Sequence, residues 1–198
     1  MQQDSLFGPA PAARSDIHRL FFALMPDTAT RERIAGLAPA LRQRYQGGGR
    51  LIGAHRYHLT LQFLGDFGAL PQAIAERAAA AAQTLRLPAF ELSLDRAGSF
   101  RNHAIPWWLG CEHPAPGLTE LWERLGVALA KAGVRIESGH RAHAPHVTIL
   151  RDAERALAPT PIEPIAWRVD RFVLVHSLLA AQGQSRYDIL GEWALADA

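Results

Sequence analysis

An α+β fold with antiparallel sheets is the architecture this sequence predicts, and three observations carry the prediction. Strand-like and helix-like stretches are interspersed, some strands adjoining as hairpin-like pairs and others separated by long helical connections. A doubly wound parallel sheet does not read that way. A strand–helix–strand run precedes each of two short motifs of the same form, which points to two similar halves. The chain has 198 residues, 48% hydrophobic and 20% charged, which is enough apolar material for a sizeable core.

The elements follow in order. Residues 1–15, with Gly8-Pro9-Ala10-Pro11, read as a flexible tail before a single domain over 16–198. Ile17 to Leu24 (IHRLFFAL) is an apolar run of the length of a buried strand. Pro26-Asp27-Thr28 opens a helix, and Ile34, Leu37 and Leu41 keep helical spacing through Thr30 to Tyr45. Gly47-Gly48-Gly49 is a connector, lacking the Lys-Ser/Thr of a phosphate-cradling loop. Tyr57 to Leu64 (YHLTLQFL) alternates as a strand does, closed by Gly65-Asp66. Pro71 suits a first helical turn, and Gln72 to Leu85 is an alanine-rich helix. Phe90 to Leu94 and Ala104 to Leu109 read as strands joined by a loop. Leu118 to Ala132 reads as a helix with Gly133 past its end, and Pro145 to Leu150 as a strand. Pro159 to Pro164 reads as a loop; Trp167 to Leu179 and Ser185 to Leu195 read as two last strands.

Composition excludes several classes. No apolar run is long enough to cross a bilayer, and Met1 to Asp16 has no continuous apolar segment of a secretory signal. Cys111, the one cysteine, makes no internal disulfide and no Cys-x-x-Cys site. Together these predict a cytoplasmic protein. The net charge of +2 is too small for a nucleic-acid coat but compatible with an anionic substrate. Lys131 is the only lysine, so the positive charges are guanidinium groups, which suit bidentate phosphate contacts. Abundant Ala and Arg are equally what a biased genome composition produces.

The chemistry sits in the repeated motif, His58-Leu59-Thr60-Leu61 and His146-Val147-Thr148-Ile149. Side chains alternate along a strand, so His58 and Thr60 share one face and Leu59 and Leu61 the other; the second motif behaves likewise. One His-x-Thr means little, since about 0.3 are expected by chance in such a chain. With aliphatic neighbours required, the expectation falls to about 0.01 for one motif and roughly 1 in 10,000 for two. Two imidazoles facing one cleft suit acid–base chemistry near neutral pH. Two threonine hydroxyls can donate to non-bridging oxygens, and Arg151, five residues after His146, can bind the same anion. Such a set describes a phosphodiester site in which one imidazole activates water and the other protonates the leaving oxygen, a division of labour that calls for no metal.

These residues resemble the RNA 2′,3′-cyclic phosphodiesterase family, also called 2′-5′ RNA ligases, of the two-histidine phosphoesterase superfamily. The resemblance runs from Leu20 onward. It includes Phe22-Ala23-Leu24-x-Pro26, HLTLQFLG from His58 to Gly65, Trp108-Leu109-Gly110, PHVTILR from Pro145 to Arg151, Ser177, Tyr187-x-Ile189-Leu190 and Trp193. It implies a two-lobed fold of pseudo-twofold symmetry with the motifs facing across a central groove. It implies opening of a terminal 2′,3′-cyclic phosphate of RNA to a 2′-phosphate, without a cofactor; a monomer is expected, although the sequence is silent on oligomeric state. His58 would protonate the departing 3′-oxygen and His146 would activate water, with Thr60, Thr148 and Arg151 holding the phosphate. Joining of tRNA halves through a 2′-5′ bond is also associated with the family. The sequence departs from the family at His143, where an aromatic residue is common, and at Tyr57, commonly apolar there, whose ring could reach the groove rim.

Weaker signals have plainer readings. His140, His143 and His146 are spaced by three, as are His55 and His58, but Pro145 breaks any helix that would align them, so no metal site is expected. Of Trp107 and Trp108 one belongs to the core and the other could stack on a base. Arg101, Asn102 and His103 could touch an RNA backbone, although loops are polar in any case. Cys111 reads as an inert thiol. Arg151 is expected to sit close to His146 and keep that ring neutral, with Phe63 at the equivalent place after His58 leaving the first ring freer to charge. The alternative function is a non-enzymatic module that binds RNA ends or nucleotides, which needs no pair of titratable groups. A third is a phosphoesterase for small cyclic nucleotides or 2′-5′ oligonucleotides.

Overall fold

The computed structural model describes residues 15–101, 104–137, 144–181 and 186–196, so the expected tail up to Arg14 lies outside the described residues. Strand β1 (Ile17–Leu24) leads into helix α1 (Thr28–Arg44). Asp27 caps that helix, its carboxylate accepting from the Thr30 N–H at 2.8 Å and the Thr30 hydroxyl at 2.9 Å. Next come β2 (Arg50–Leu51), a single 3-10 turn at Ala54–Arg56, β3 (Leu59–Phe67) and α2 (Gln72–Ala82). β4 (Phe90–Ser99), β5 (Trp107–Gly110), α3 (Pro116–Lys131) and β6 (His146–Arg151) follow. β7 (Thr160–Val169), β8 (Arg171–Leu179) and β9 (Arg186–Ala194) complete the described elements.

The strands form one antiparallel sheet in the order β7-β4-β5-β6-β3-β1-β8-β9, with β2 beside β6. It divides into two halves of four. In one, β1 pairs with β3 and a helix lies between them in sequence; in the other, β5 pairs with β6 and again a helix intervenes. The expected pair of lobes is therefore present, fused edge to edge at the registered pair Leu59↔Val147. Those two residues are the centres of the two motifs.

Side-chain alternation sorts the sheet into two faces. Leu20, Phe22 and Leu24 of β1, Leu59 and Leu61 of β3, and Val147 and Ile149 of β6 enter one large core. The helices close it with Ile34, Ala38 and Leu41 of α1, Ala75 and Ala78 of α2, and Leu118, Leu121, Leu125 and Leu129 of α3, all at helical spacing. Each buried leucine contributes about 1.5–3 kcal/mol on leaving water. Phe21 and Ala23 point the other way and join Val173 and Val175 in a smaller cluster, which also takes Phe63 and Tyr187. Burial on both faces is why IHRLFFAL reads as a continuous apolar run.

Two expectations fail at the C-terminal end. Pro159 to Pro164 is not a loop: Thr160 onward belongs to β7. β7 is an edge strand pairing only with β4 among the described residues, so Pro161 and Pro164 can present their donor-free nitrogens away from the ladder. Trp167 to Leu179 is not one strand either. It turns at Asp170, whose carbonyl accepts from the Leu195 N–H at 2.7 Å, and the apolar residues on either side mask the turn.

Candidate active site

Antiparallel pairing at Leu59↔Val147 sets the register of the site. It puts His58 across from Thr148 and Thr60 across from His146, all four on the face opposite the helices. Diagonal positions of this kind lie about 7–8 Å apart, so two imidazoles and two hydroxyls surround a space the size of a phosphate.

The backbone also fixes each imidazole. His58 Nδ1 lies 2.8 Å from the Arg56 carbonyl oxygen, and His146 Nδ1 lies 2.7 Å from the Ala144 carbonyl oxygen. A carbonyl only accepts, so Nδ1 carries the hydrogen and donates in both rings. That leaves Nε2 of each as the atom that exchanges a proton. Both bonds reach back two residues, so the local geometry repeats in the two motifs.

Alternation alone would send Arg151 to the wrong face, since five residues separate it from His146. A β-bulge corrects this. The β5–β6 register jumps from Trp108↔Thr148 to Trp107↔Leu150, skipping Ile149. Ile149 and Leu150 are both in the large core, and Arg151 returns to the histidine face. β3 does the same: Ala23↔Thr60 is followed by Phe22↔Gln62, skipping Leu61, and Phe63 returns to that face. Gln62 consequently points at the helices, where its amide donates to the Trp122 carbonyl at 2.9 Å. The Gly47–Gly49 connector supports the Arg151 end. Gly49 has φ +63°, and a Cβ there would come within 2.5 Å of the Arg151 carbonyl oxygen, so the loop needs glycine to lie that close.

The surroundings of the two rings differ. His58 lies against Phe21 at 5.0 Å between ring centroids and Tyr187 at 5.8 Å. The Arg56 guanidinium covers Tyr187 at 5.0 Å. His146 meets the edge of Phe100 at 4.7 Å, and Phe100 packs on Trp108 at 5.6 Å. Burial pushes the His58 pKa down, helped by the positive charges of His146, Arg151 and Arg56 and opposed by the Arg56 carbonyl, to about 4. Burial also lowers His146, opposed by the Ala144 carbonyl.

This corrects the expectation for Arg151, whose charge bears on His58 and not on His146. The reason is strand direction. In the antiparallel pair His58 is level with Thr148, so chain beyond Thr148 runs toward His58 and away from His146.

With the geometry in hand, the relatives decide the family. The family model described as the 2′-5′ RNA ligase superfamily matches residues 26–180. The chain belongs to that superfamily. Among the members it resembles is the RNA 2′,3′-cyclic phosphodiesterase of Escherichia coli, 35% identical over 182 residues, 91% of this chain and 98% of that protein. The protein of the same description from Thermus thermophilus is 31% identical over 186 residues, 89% of this chain and 90% of that one. The crystal structure of E. coli LigT in apo form matches with a TM-score of 0.74 at 33% identity, over 92% of this chain and all of that one. The superfamily match spans both motifs.

The structure places several of the weaker candidates. Trp107 is the core tryptophan, its indole N–H donating to the Arg155 carbonyl at 2.8 Å; Trp108, opposite Thr148, stands on the groove face. Tyr57 does not reach the rim: it is 2% exposed within the large core. Cys111 is held up to about 12 by burial and by Asp95, and is inert as a nucleophile. Among the described residues no group of three or more His, Cys, Asp or Glu side chains could hold a metal ion. Asn102, His103, His140 and His143 lie outside the described residues. Among the described residues no helix is long and apolar enough to cross a membrane. Sequence reasoning missed Arg56, Phe21 and Phe100, and took Tyr187 only as part of the family resemblance, with no place in the site. Arg56 and Phe21 left a trace, one two residues before His58 and the other in a strand buried on both faces.

Proposed function

We propose that this protein hydrolyses terminal 2′,3′-cyclic phosphates of RNA to 2′-phosphomonoesters by two-histidine acid–base catalysis. The observation that carries the reading is the Leu59↔Val147 pair, which brings two tautomer-locked imidazoles and two hydroxyls to one place. Relatives described as RNA 2′,3′-cyclic phosphodiesterases, aligned over nine-tenths of the chain, support the substrate.

In the reaction His146 Nε2 takes a proton from water, the water oxygen bonds to phosphorus, and the P–O3′ bond breaks. His58 gives its Nε2 proton to the departing 3′-oxygen. Thr60 and Thr148 donate to the two non-bridging oxygens, and Arg151 balances the growing charge. The free site by itself does not favour His58 as the acid, since burial is the largest cause holding its pKa near 4, and the role depends on the bound phosphate. Part of the opposition to charge at His58 comes from cations that a bound phosphate offsets, so binding raises its pKa toward an acid's range. His146 is depressed by burial, which a bound nucleotide deepens, and it stays neutral as the base.

The constellation supplies its own acid, base and anion stabilisers, so the reaction calls for no cofactor. The protein acts as a cytoplasmic monomer in this reading. A 5′-hydroxyl in place of water would form a 2′-5′ bond at the same site, in keeping with the name of the superfamily, and tRNA halves are the fragments it would join in this reading. The test is incubation with an oligoribonucleotide ending in a 2′,3′-cyclic phosphate in excess EDTA, with the product's phosphate position assigned. A 2′-phosphate end is expected. Binding without turnover would mean an RNA-end module, and activity lost in EDTA but restored by zinc or manganese would mean metal catalysis.

A further inference from the structure

Arg56 is left over from the mechanism. Its pseudo-twofold counterpart is Ala144, because the carbonyls of these two residues hold the two catalytic imidazoles. The backbone does that work in both motifs, so nothing in the repeat requires an arginine at 56. Yet its guanidinium is held over the Tyr187 ring at 5.0 Å, beside His58, whose pKa its charge helps lower. Its Nε is buried and has no hydrogen-bond partner, and among the described residues no carboxylate pairs with it. Arg56 is half-buried, and a guanidinium whose inner nitrogen lacks a partner while no carboxylate neutralises its charge suits an anion.

The cyclic phosphate is not the anion that suits it. That group carries one negative charge and two non-bridging oxygens, for which Thr60, Thr148 and Arg151 already compete. Direction decides the remaining choice. If His58 protonates the 3′-oxygen, the ribose lies at the His58 end, and the attacking water enters at the His146 end. The RNA chain leaves that ribose through its 5′-oxygen, so the next phosphodiester lies beyond His58, where Arg56 and Tyr187 stand.

We propose that Arg56, set by Tyr187, forms a second anion subsite that binds the internucleotide phosphate on the 5′ side of the terminal nucleotide, so that the enzyme prefers RNA ends to mononucleotides. This rests on the hydrolase reading above. It is tested by the ratio of kcat/KM for a short oligoribonucleotide ending in a 2′,3′-cyclic phosphate to that for the mononucleoside 2′,3′-cyclic phosphate. Any effect of Arg56 on His58 acts on both substrates and cancels in the ratio. Arg56→Ala, which copies Ala144, is expected to lower the ratio about tenfold, a charge-assisted hydrogen bond being worth roughly that much. It should also reduce the slope of log KM against log salt for the oligonucleotide by about 0.7. Arg56→Lys should recover part of the ratio, and Arg56→Gln should not. A neutral methylphosphonate at the last internucleotide position should cost wild type the same tenfold and Arg56→Ala nothing further. An unchanged ratio in Arg56→Ala and Arg56→Gln, with both substrates turned over, would overturn the subsite and leave the hydrolase reading standing. A wild type that turns over neither substrate would remove both.

Discussion

At the His58 end of the groove a half-buried imidazole has around it Phe21, Tyr187 and two guanidinium groups, Arg56 and Arg151. At the His146 end the same imidazole, held by the same kind of carbonyl bond, meets the edge of Phe100, and no arginine charge bears on it. The backbone is duplicated, down to a bulge at the same step of each motif strand. The two ends differ in what the side chains around them do to a charge. Near-identical motifs can therefore be given unlike protonation roles by residues outside them.

The harshest way to break the comparison is to remove either ring. His58→Ala and His146→Ala should each lower kcat/KM roughly a hundredfold or more, measured by cyclic phosphate turnover, because each removes one of the two proton-transfer partners. A histidine variant with wild-type rates would end the two-histidine account. Thr60→Val and Thr148→Val come next, each costing roughly tenfold in kcat through loss of a hydroxyl donor to a charged oxygen. Equal losses are expected, because the threonines occupy equivalent corners of the site.

Arg151→Ala sharpens the difference between the ends. It should raise KM roughly tenfold, and it should move the His58 pKa upward while leaving that of His146 in place. Both limbs of wild-type kcat/KM are expected below pH 6.5, since both rings are lowered from 6.5 in the free enzyme. The variant's lower limb should shift toward neutral pH.

How much of this was legible in the sequence follows from where each interaction comes from. The faces of the two motifs were readable because alternation is local, and Leu59, Leu61, Val147 and Ile149 enter the core as expected. The side on which Arg151 acts was not, because it depends on a bulge at Ile149 and on the direction of β3, a strand distant in sequence. Arg56 drew no notice for the same reason: its role depends on Tyr187 from β9. The turn at Asp170 was hidden by apolar residues on both sides, and the prolines of β7 read as a loop until their place at the sheet edge was known.

The smallest expected effect is on stability. In the unfolded chain both histidines bind protons near 6.5, which the native rings resist, His58 down to about 4. Their contribution is fully present above pH 6.5 and is lost as pH falls toward 4. Asp66, lowered by its hydrogen bonds to Arg19, loses its contribution only at lower pH, below the carboxylate's ordinary 3.8. The urea midpoint should therefore fall between pH 7 and pH 5, and His58→Ala should flatten that slope.

The central claim is that one phosphate is shared by two rings of unlike role, and NMR titration of the two imidazoles tests it most directly. Measured in the free protein, His58 should titrate near 4 and His146 below 6.5. Measured with saturating adenosine 2′-monophosphate, the product end of an RNA, the His58 value should rise by more than that of His146 and pass it. A His146 value that rises past His58 would reverse the acid and base, and two values that ignore the ligand would contradict a shared phosphate altogether.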